Sequence, residues 1–155
     1  MITMETENRI REEIDDRITL IDGLLEKREL DRAIFECNSV IERAHNNELF
    51  EKEMKAYNML GMLYRGKGDY QGALNQFDTA MGIAKEHDLE MSEENATAYY
   101  YAGILLYNVQ PPLPQVVTLL EKAISIRSSI IDDENDATLS DYRTVLETFK
   151  RVYNL

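Results

Sequence analysis

One cysteine is too few for a disulfide within the chain, so Cys37 leaves the fold to be held by its core, as suits a reducing compartment such as the cytoplasm. Proline is almost as scarce. All three prolines, Pro111, Pro112 and Pro114, fall in one loop, and nothing elsewhere of that kind interrupts a helix. Runs that alternate β-branched and polar residues are missing, which argues against strands. No apolar run approaches the ~18 residues needed to span a bilayer. The first ten residues hold no apolar leader segment, so secretion is not expected. Basic residues are few: 17 Lys and Arg face 29 Asp and Glu, a net charge of −12. The acidic excess falls from 6 in residues 1–50 to 4 in 51–100 and 2 in 101–155. Such a surface repels phosphate backbones and anionic lipids, so neither nucleic acid nor membrane is an expected partner.

What remains is 44% hydrophobic residues and a supply of Ala, Leu, Glu, Lys, Arg and Met, the good helix formers. At 155 residues the chain can bury one real core. The pattern predicts an all-α protein of about seven helices. They run from about Thr6 to Glu26, Leu30 to His45, Leu49 to Gly66, Tyr70 to His87, Ser92 to Asn108, Pro114 to Ile131 and Thr138 to the end. Ser92 is a natural N-cap, with Glu93 and Glu94 favourably placed in the first turn. Thr138 to Asp141 resembles a capping box.

A period runs through these helices. Ala73, Phe77 and Ala80 in the fourth have counterparts in Ala33, Cys37 and Val40, 40 residues earlier, and in Val116, Leu120 and Ala123, 43 residues later. Tyr57, Leu60, Gly61 and Tyr64 align with Tyr99, Ala102, Gly103 and Leu106, 42 residues on. Tyr142, Val145, Leu146 and Phe149 continue the series at a shift of 43. Arg17, Leu20, Ile21 and Leu24 form a degenerate copy in the first helix. Gly61 and Gly103 permit close helix approach, while Phe77, Tyr64 and Tyr70 are expected to fill the space between helices. Gly68 can take the left-handed conformation that ends a helix, and Asp69 can cap the next.

The middle unit, Tyr57-x2-Leu60-Gly61-x2-Tyr64 followed by Ala73-x3-Phe77-x2-Ala80, resembles a tetratricopeptide repeat. Tyr57 stands for the usual Trp, and Lys85 stands about where the family's proline would fall. The units, about 14–53, 54–95 and 96–137 with a capping helix at about 138–155, exceed the usual ~34 residues. The resemblance covers nearly the whole chain as a single domain. It implies a right-handed superhelix of stacked antiparallel helix pairs, whose first helices line a concave groove.

The resemblance also selects the residues of that groove. In the middle unit they are Lys55, Asn58, Met59, Met62 and Arg65. In the next they are Thr97, Tyr100, Tyr101, Ile104 and Tyr107. The first unit offers Asp15, Ile18, Asp22 and Leu25, and the capping helix Ser140, Arg143, Glu147 and Lys150. The centre is aromatic and thioether, suited to an apolar segment of a peptide or protein. The ends differ in sign, with Asp15 and Asp22 against Arg143 and Lys150. The same tyrosines could instead pack between repeats, and the charges could simply be solvated. Some members of the family clamp a peptide carboxylate with Lys, Asn and Arg on these faces. Here Met62 and Ile104 break the cation set, so that ligand is not expected.

Catalysis has little footing, and neither a cofactor nor a metal is expected. His45 and His87 lie near helix C-termini, where they suit the dipole. Cys37 occupies a packing position. Asp132 to Asp136 lacks the Gly and Glu register of a calcium loop. Asn95-Ala96-Thr97 matches a glycosylation sequon without a secretion signal. The reading is a non-enzymatic adaptor or scaffold that binds through its groove. Alternatives are a peptide-sensing or inhibitory regulator acting on a partner in trans, and a small chaperone for an exported apolar client. Self-association through the first unit and Phe149 with Tyr153 is a further use of the same surfaces.

Overall fold

Helices form wherever the sequence offers an uninterrupted apolar stripe, and the computed structural model, which describes residues 3–155, contains seven. They are α1 (Met4–Glu26), α2 (Leu30–Asn46), α3 (Phe50–Gly66), α4 (Tyr70–Glu86), α5 (Glu93–Leu106), α6 (Gln115–Ile130) and α7 (Ala137–Val152). Among the described residues there is no strand, and no helix is long and apolar enough to cross a membrane. Each helix packs on the next in order. The odd-numbered helices α1, α3 and α5 also touch one another in turn. The result is a helical solenoid, with α1, α3 and α5 side by side in one row and α2, α4 and α6 packed on them.

Two helix starts differ from expectation. Thr3 caps α1 by accepting from the Thr6 amide at 3.1 Å, so the helix begins at Met4 rather than Thr6. The N-cap of α7 is Asp136, not a capping box at Thr138: its carboxylate accepts from the Leu139 amide at 2.9 Å. Ser92 and Asp69 cap α5 and α4 as expected.

The first four connections repeat one backbone turn. A left-handed residue ends each helix: Arg28, Glu48, Gly68 and Asp88, spaced 20 residues apart. The next residue's amide reaches back across the turn, as Asp69 to the Tyr64 carbonyl at 2.9 Å and Leu89 to the Ala84 carbonyl at 2.8 Å. This is the hydrogen-bond pattern that satisfies the orphan carbonyls of a helix end. Gly68 adopts it without a steric cost and Asp88 at a reduced one; Arg28 and Glu48 carry side chains that disfavour it, at a cost of about 1 kcal/mol or more each. The fifth connection, through the prolines, departs from the pattern.

Packing across the hairpins depends on missing side chains. A Cβ on Gly61 would collide with the ring of Phe77, which is fully buried. A Cβ on Gly103 would lie 2.8 Å from Leu120 Cδ2. Ala73 and Ala80 are fully buried beside them. Tyr70 departs from expectation: it is 61% exposed and fills no interhelix space. It opens α4 immediately after the turn, before the helix meets its neighbours. The register of α1 also differs. Its buried stripe is Ile10, Ile14, Ile18, Ile21 and Leu24. Ile18 therefore belongs to the core rather than the groove, and Leu20, expected to pack, is 41% exposed.

These contacts distinguish two glycines in helix interiors. Nothing lies within 4 Å of a Cβ placed on Gly82 of α4. Gly82→Ala should stabilise by roughly 0.5–1 kcal/mol through helix propensity. Gly61→Ala carries the same propensity gain but drives a methyl into Phe77, and should lose about 1–3 kcal/mol net. Urea unfolding followed by circular dichroism measures both; shifts of the same sign would refute the close approach.

Candidate functional site

The row of α1, α3 and α5 leaves a cleft of about 330 Å³. From α1 come Ile21, Asp22 and Leu25; from α3 come Lys55, Asn58, Met59, Met62 and Leu63; from α5 come Glu93, Glu94, Thr97 and Tyr101. The α3 residues recur at three- and four-residue steps, which places them on one helix face. The cleft is apolar in its middle and carries three carboxylates against one lysine at its rim.

The groove residues expected from the sequence do not all come together. Lys55, Asn58, Met59, Met62 and Tyr101 line this cleft together with Asp22, Leu25 and Thr97. Arg65 and Ile104 line a different depression of about 440 Å³, which they share with Tyr70, Leu74 and Val109. Tyr100 and Tyr107 are inter-helix packing. Tyr100 stacks on Tyr142 of α7 with ring centroids 4.2 Å apart, and Tyr107 meets Phe149 edge-on at 5.0 Å. Successive side chains on a helix diverge by about 100°, so Tyr101 turns to the cleft while Tyr100 turns to α7. Arg143 is exposed on α7 and lines neither depression, and Lys150 lies 3.5 Å from Glu121. The basic end of the groove is therefore not assembled. Phe149 is fully buried and cannot serve as a surface for self-association.

Asn58 is less open than a groove residue was expected to be. It is 3% exposed, and its Nδ2 donates to the Glu94 carbonyl at 2.9 Å, tying α3 to α5. Its Oδ1 accepts nothing. An unmade hydrogen bond on a buried amide is costly, about 1–3 kcal/mol, and calls for a reason. Glu94 beside it has its carboxyl pushed above the ordinary range. Burial is the main cause; Glu93 and Glu51 add to it, while its own backbone amide and Lys55 oppose it. Tyr101 is likewise raised, by burial and then by Asp22.

A clamp that the sequence did not reveal fixes the rim. Arg127, at the end of α6, is 7% exposed. Its Nε and Nη2 donate to the two carboxylate oxygens of Asp136 at 2.9 and 3.0 Å, and its Nη1 donates to Glu93 at 2.9 Å. The start of α5, the end of α6 and the start of α7 are thereby joined. The Arg127 guanidinium and the Leu139 amide hold the Asp136 carboxyl below its ordinary range. An arginine in a last helical turn before an acidic loop was the available signal, but no periodicity marks it.

The remaining reactive groups lie elsewhere. Cys37 is fully buried, and burial with Asp22 and Glu36 pushes its thiol up to about 12. His45 Nδ1 lies 3.1 Å from Glu53, and His87 stacks on Phe50 at 3.5 Å. Asn95 of the sequon is 3% exposed and donates to the Glu90 carbonyl at 2.8 Å, so it offers no acceptor site for a glycan.

No protein-family model matches the chain, and no curated protein matches it. Among solved structures it is similar to the crystal structure of BtubC (BKLC) from P. vanneervenii, with a TM-score of 0.72 and 21% identity. The match covers 87% of this chain and 54% of that one, so the chain spans about half the length of BtubC. The likeness bears on the fold, a stack of helices, and not on activity.

Two predictions follow from this geometry. Tyr100→Ala and Tyr107→Ala should each lower stability by about 2–3 kcal/mol, because both rings are packed against α7. Met62→Ala, on the open cleft, should cost under about 1 kcal/mol. Urea midpoints decide, and a Tyr100→Ala variant as stable as wild type would contradict the packing role. Asp136→Asn keeps a side chain able to cap α7 but removes the charge that Arg127 faces. A depressed carboxyl stabilises above its unfolded pKa and loses that contribution as pH falls through its folded value. Asp136→Asn should therefore melt below wild type near neutrality, and the gap should close as pH falls below the ordinary carboxylate range and through the depressed folded value. A gap independent of pH would exclude the charge as its cause.

Proposed function

We propose that the chain is a non-enzymatic binding module, a tetratricopeptide-type array of about three 40-residue units and a capping helix, that acts as an adaptor or scaffold by holding an apolar peptide segment of a partner protein. The observation that carries this reading is the cleft across α1, α3 and α5, about 330 Å³ and walled by Leu25, Met59, Met62 and Tyr101. Its size suits one or two side chains rather than a whole helix, since sites for drug-sized ligands begin at about 300 Å³. Thioethers and an aromatic ring adapt to different apolar side chains at small entropic cost. The repeat reading is supported by the burial of its signature residues, Leu60, Gly61, Ala73, Phe77 and Ala80, and by the 20-residue recurrence of the turns. A non-enzymatic role is supported by the burial of Cys37 and by the structural contacts of both histidines, His45 with Glu53 and His87 stacked on Phe50.

Selection from a random decapeptide display library tests the reading. Wild type should enrich peptides with two or more large apolar residues. Met62→Asp combined with Leu25→Asp, folded by circular dichroism, should weaken the selected peptides at least about tenfold, the scale of losing an apolar anchor. Undiminished binding would place the site elsewhere.

A further inference from the structure

We infer that the α1/α3/α5 cleft receives a cationic side chain, a lysine or arginine carried by an otherwise apolar peptide, between Glu94, Asp22 and the amide oxygen of Asn58. The inference rests on the peptide-groove reading above and names the chemistry of its ligand.

Three independent features converge on it. The first is charge. Of the three carboxylates in the cleft, Glu93 is committed to Arg127, while Asp22 and Glu94 form no ion pair among the described residues. Lys55 alone offsets them. The second is an unfilled acceptor. Asn58, which lines the cleft, is fixed by its Nδ2 bond to the Glu94 carbonyl, joining α3 to α5. Its Oδ1 needs an N–H or O–H donor and has none. A carboxylate ligand could not supply one, whereas ammonium and guanidinium groups carry donors only. The third is the apolar wall. Met59, Met62 and Leu25 offer a surface for the methylene stem of a long cationic side chain, whose head then reaches the carboxylates.

Glu94 adds support. Its carboxyl is raised chiefly by burial, with like charge from Glu93 and Glu51. A bound cation would stabilise its anion and relieve that penalty. Sites built to hydrogen-bond a polar group discriminate strongly against ligands lacking it, because their own buried groups are left unpaired.

The test uses the same decapeptide library on the full chain. Wild type should select peptides in which a Lys or Arg accompanies the apolar residues. Replacing that cation by norleucine should weaken binding at least about tenfold, the usual worth of a hydrogen bond to a charged group. On Glu94→Gln with Asp22→Asn, the same replacement should change binding less than about twofold, while apolar enrichment persists. Because the whole chain is acidic, Asp132→Asn with Asp133→Asn, which removes two charges far from the cleft in sequence, serves as control and should keep the full cation preference. Selection of apolar peptides without a cation preference would overturn this inference and leave the groove reading standing. A preference lost equally in the control pair would assign it to net charge and overturn it also. Selection of no peptide at all would overturn the groove reading itself. Thermal melts establish that each variant is folded.

Discussion

The close approach of paired helices is the constraint on which the rest of this structure depends. In the second and third hairpins a glycine on the first helix meets a large side chain from the second: Gly61 under Phe77, Gly103 under Leu120. The first hairpin achieves the same density with the sizes exchanged. There the first helix supplies Ile14, Ile18 and Ile21, and the second supplies Ala33 and Cys37, all in one buried cluster. Interiors tolerate such exchanges when the total volume is conserved. Cys37 stands where Phe77 stands 40 residues later because isoleucines already occupy the space opposite.

That exchange also explains which parts of the fold could be read from the sequence. Seven helices and their order were legible, because each apolar stripe runs for about four turns at helical spacing. The α1 register was not. The alignment puts Ile21 where Gly61 stands and Leu20 where Leu60 stands, so it takes Leu20 for a packing residue and leaves Ile18 to the groove, while the one glycine of α1, Gly23, falls at another register. The repeated turn was legible only at Gly68. At Arg28 and Glu48 the chain adopts the left-handed conformation with residues that do not favour it, and at Asp88 with one that tolerates it. What drives those turns is the tertiary pairing on either side, with Leu49 and Leu89 buried or half-buried just beyond them. Local propensity is overridden there by packing.

The candidate site was legible as a face and less so as a set of residues. Four consecutive positions, Ala98 to Tyr101, include three tyrosines, and a composition-based reading cannot tell which points where. The helix decides it. Tyr100 and Tyr107, seven residues apart, turn to α7, and Tyr101 turns to α3. The expected polarity between an acidic and a basic end fails for a related reason. Lys150 faces Glu121 across the α6–α7 pair, so α7 contributes aromatic packing rather than charge to the row.

The acidity of the cleft follows from the way α5 begins. Ser92 caps that helix, and Glu93 and Glu94 occupy its first turn, where the exposed amides and the dipole favour negative charge. Glu93 still adds like charge to the burial of Glu94. Its own carboxylate is held by Arg127 at the junction of α6 and α7. Glu94 is left beside Asn58, held by its own backbone carbonyl and without a charge partner. A need of local structure, an acidic first turn, has thus placed an unpaired carboxylate in an apolar cleft. The clamp that joins α5, α6 and α7 holds Glu93 and leaves Glu94 unpaired. The proposed binding chemistry and the helix-end chemistry fall to adjacent residues of one turn, and so a change at Arg127, remote from the cleft in sequence, bears on the charge that the cleft presents.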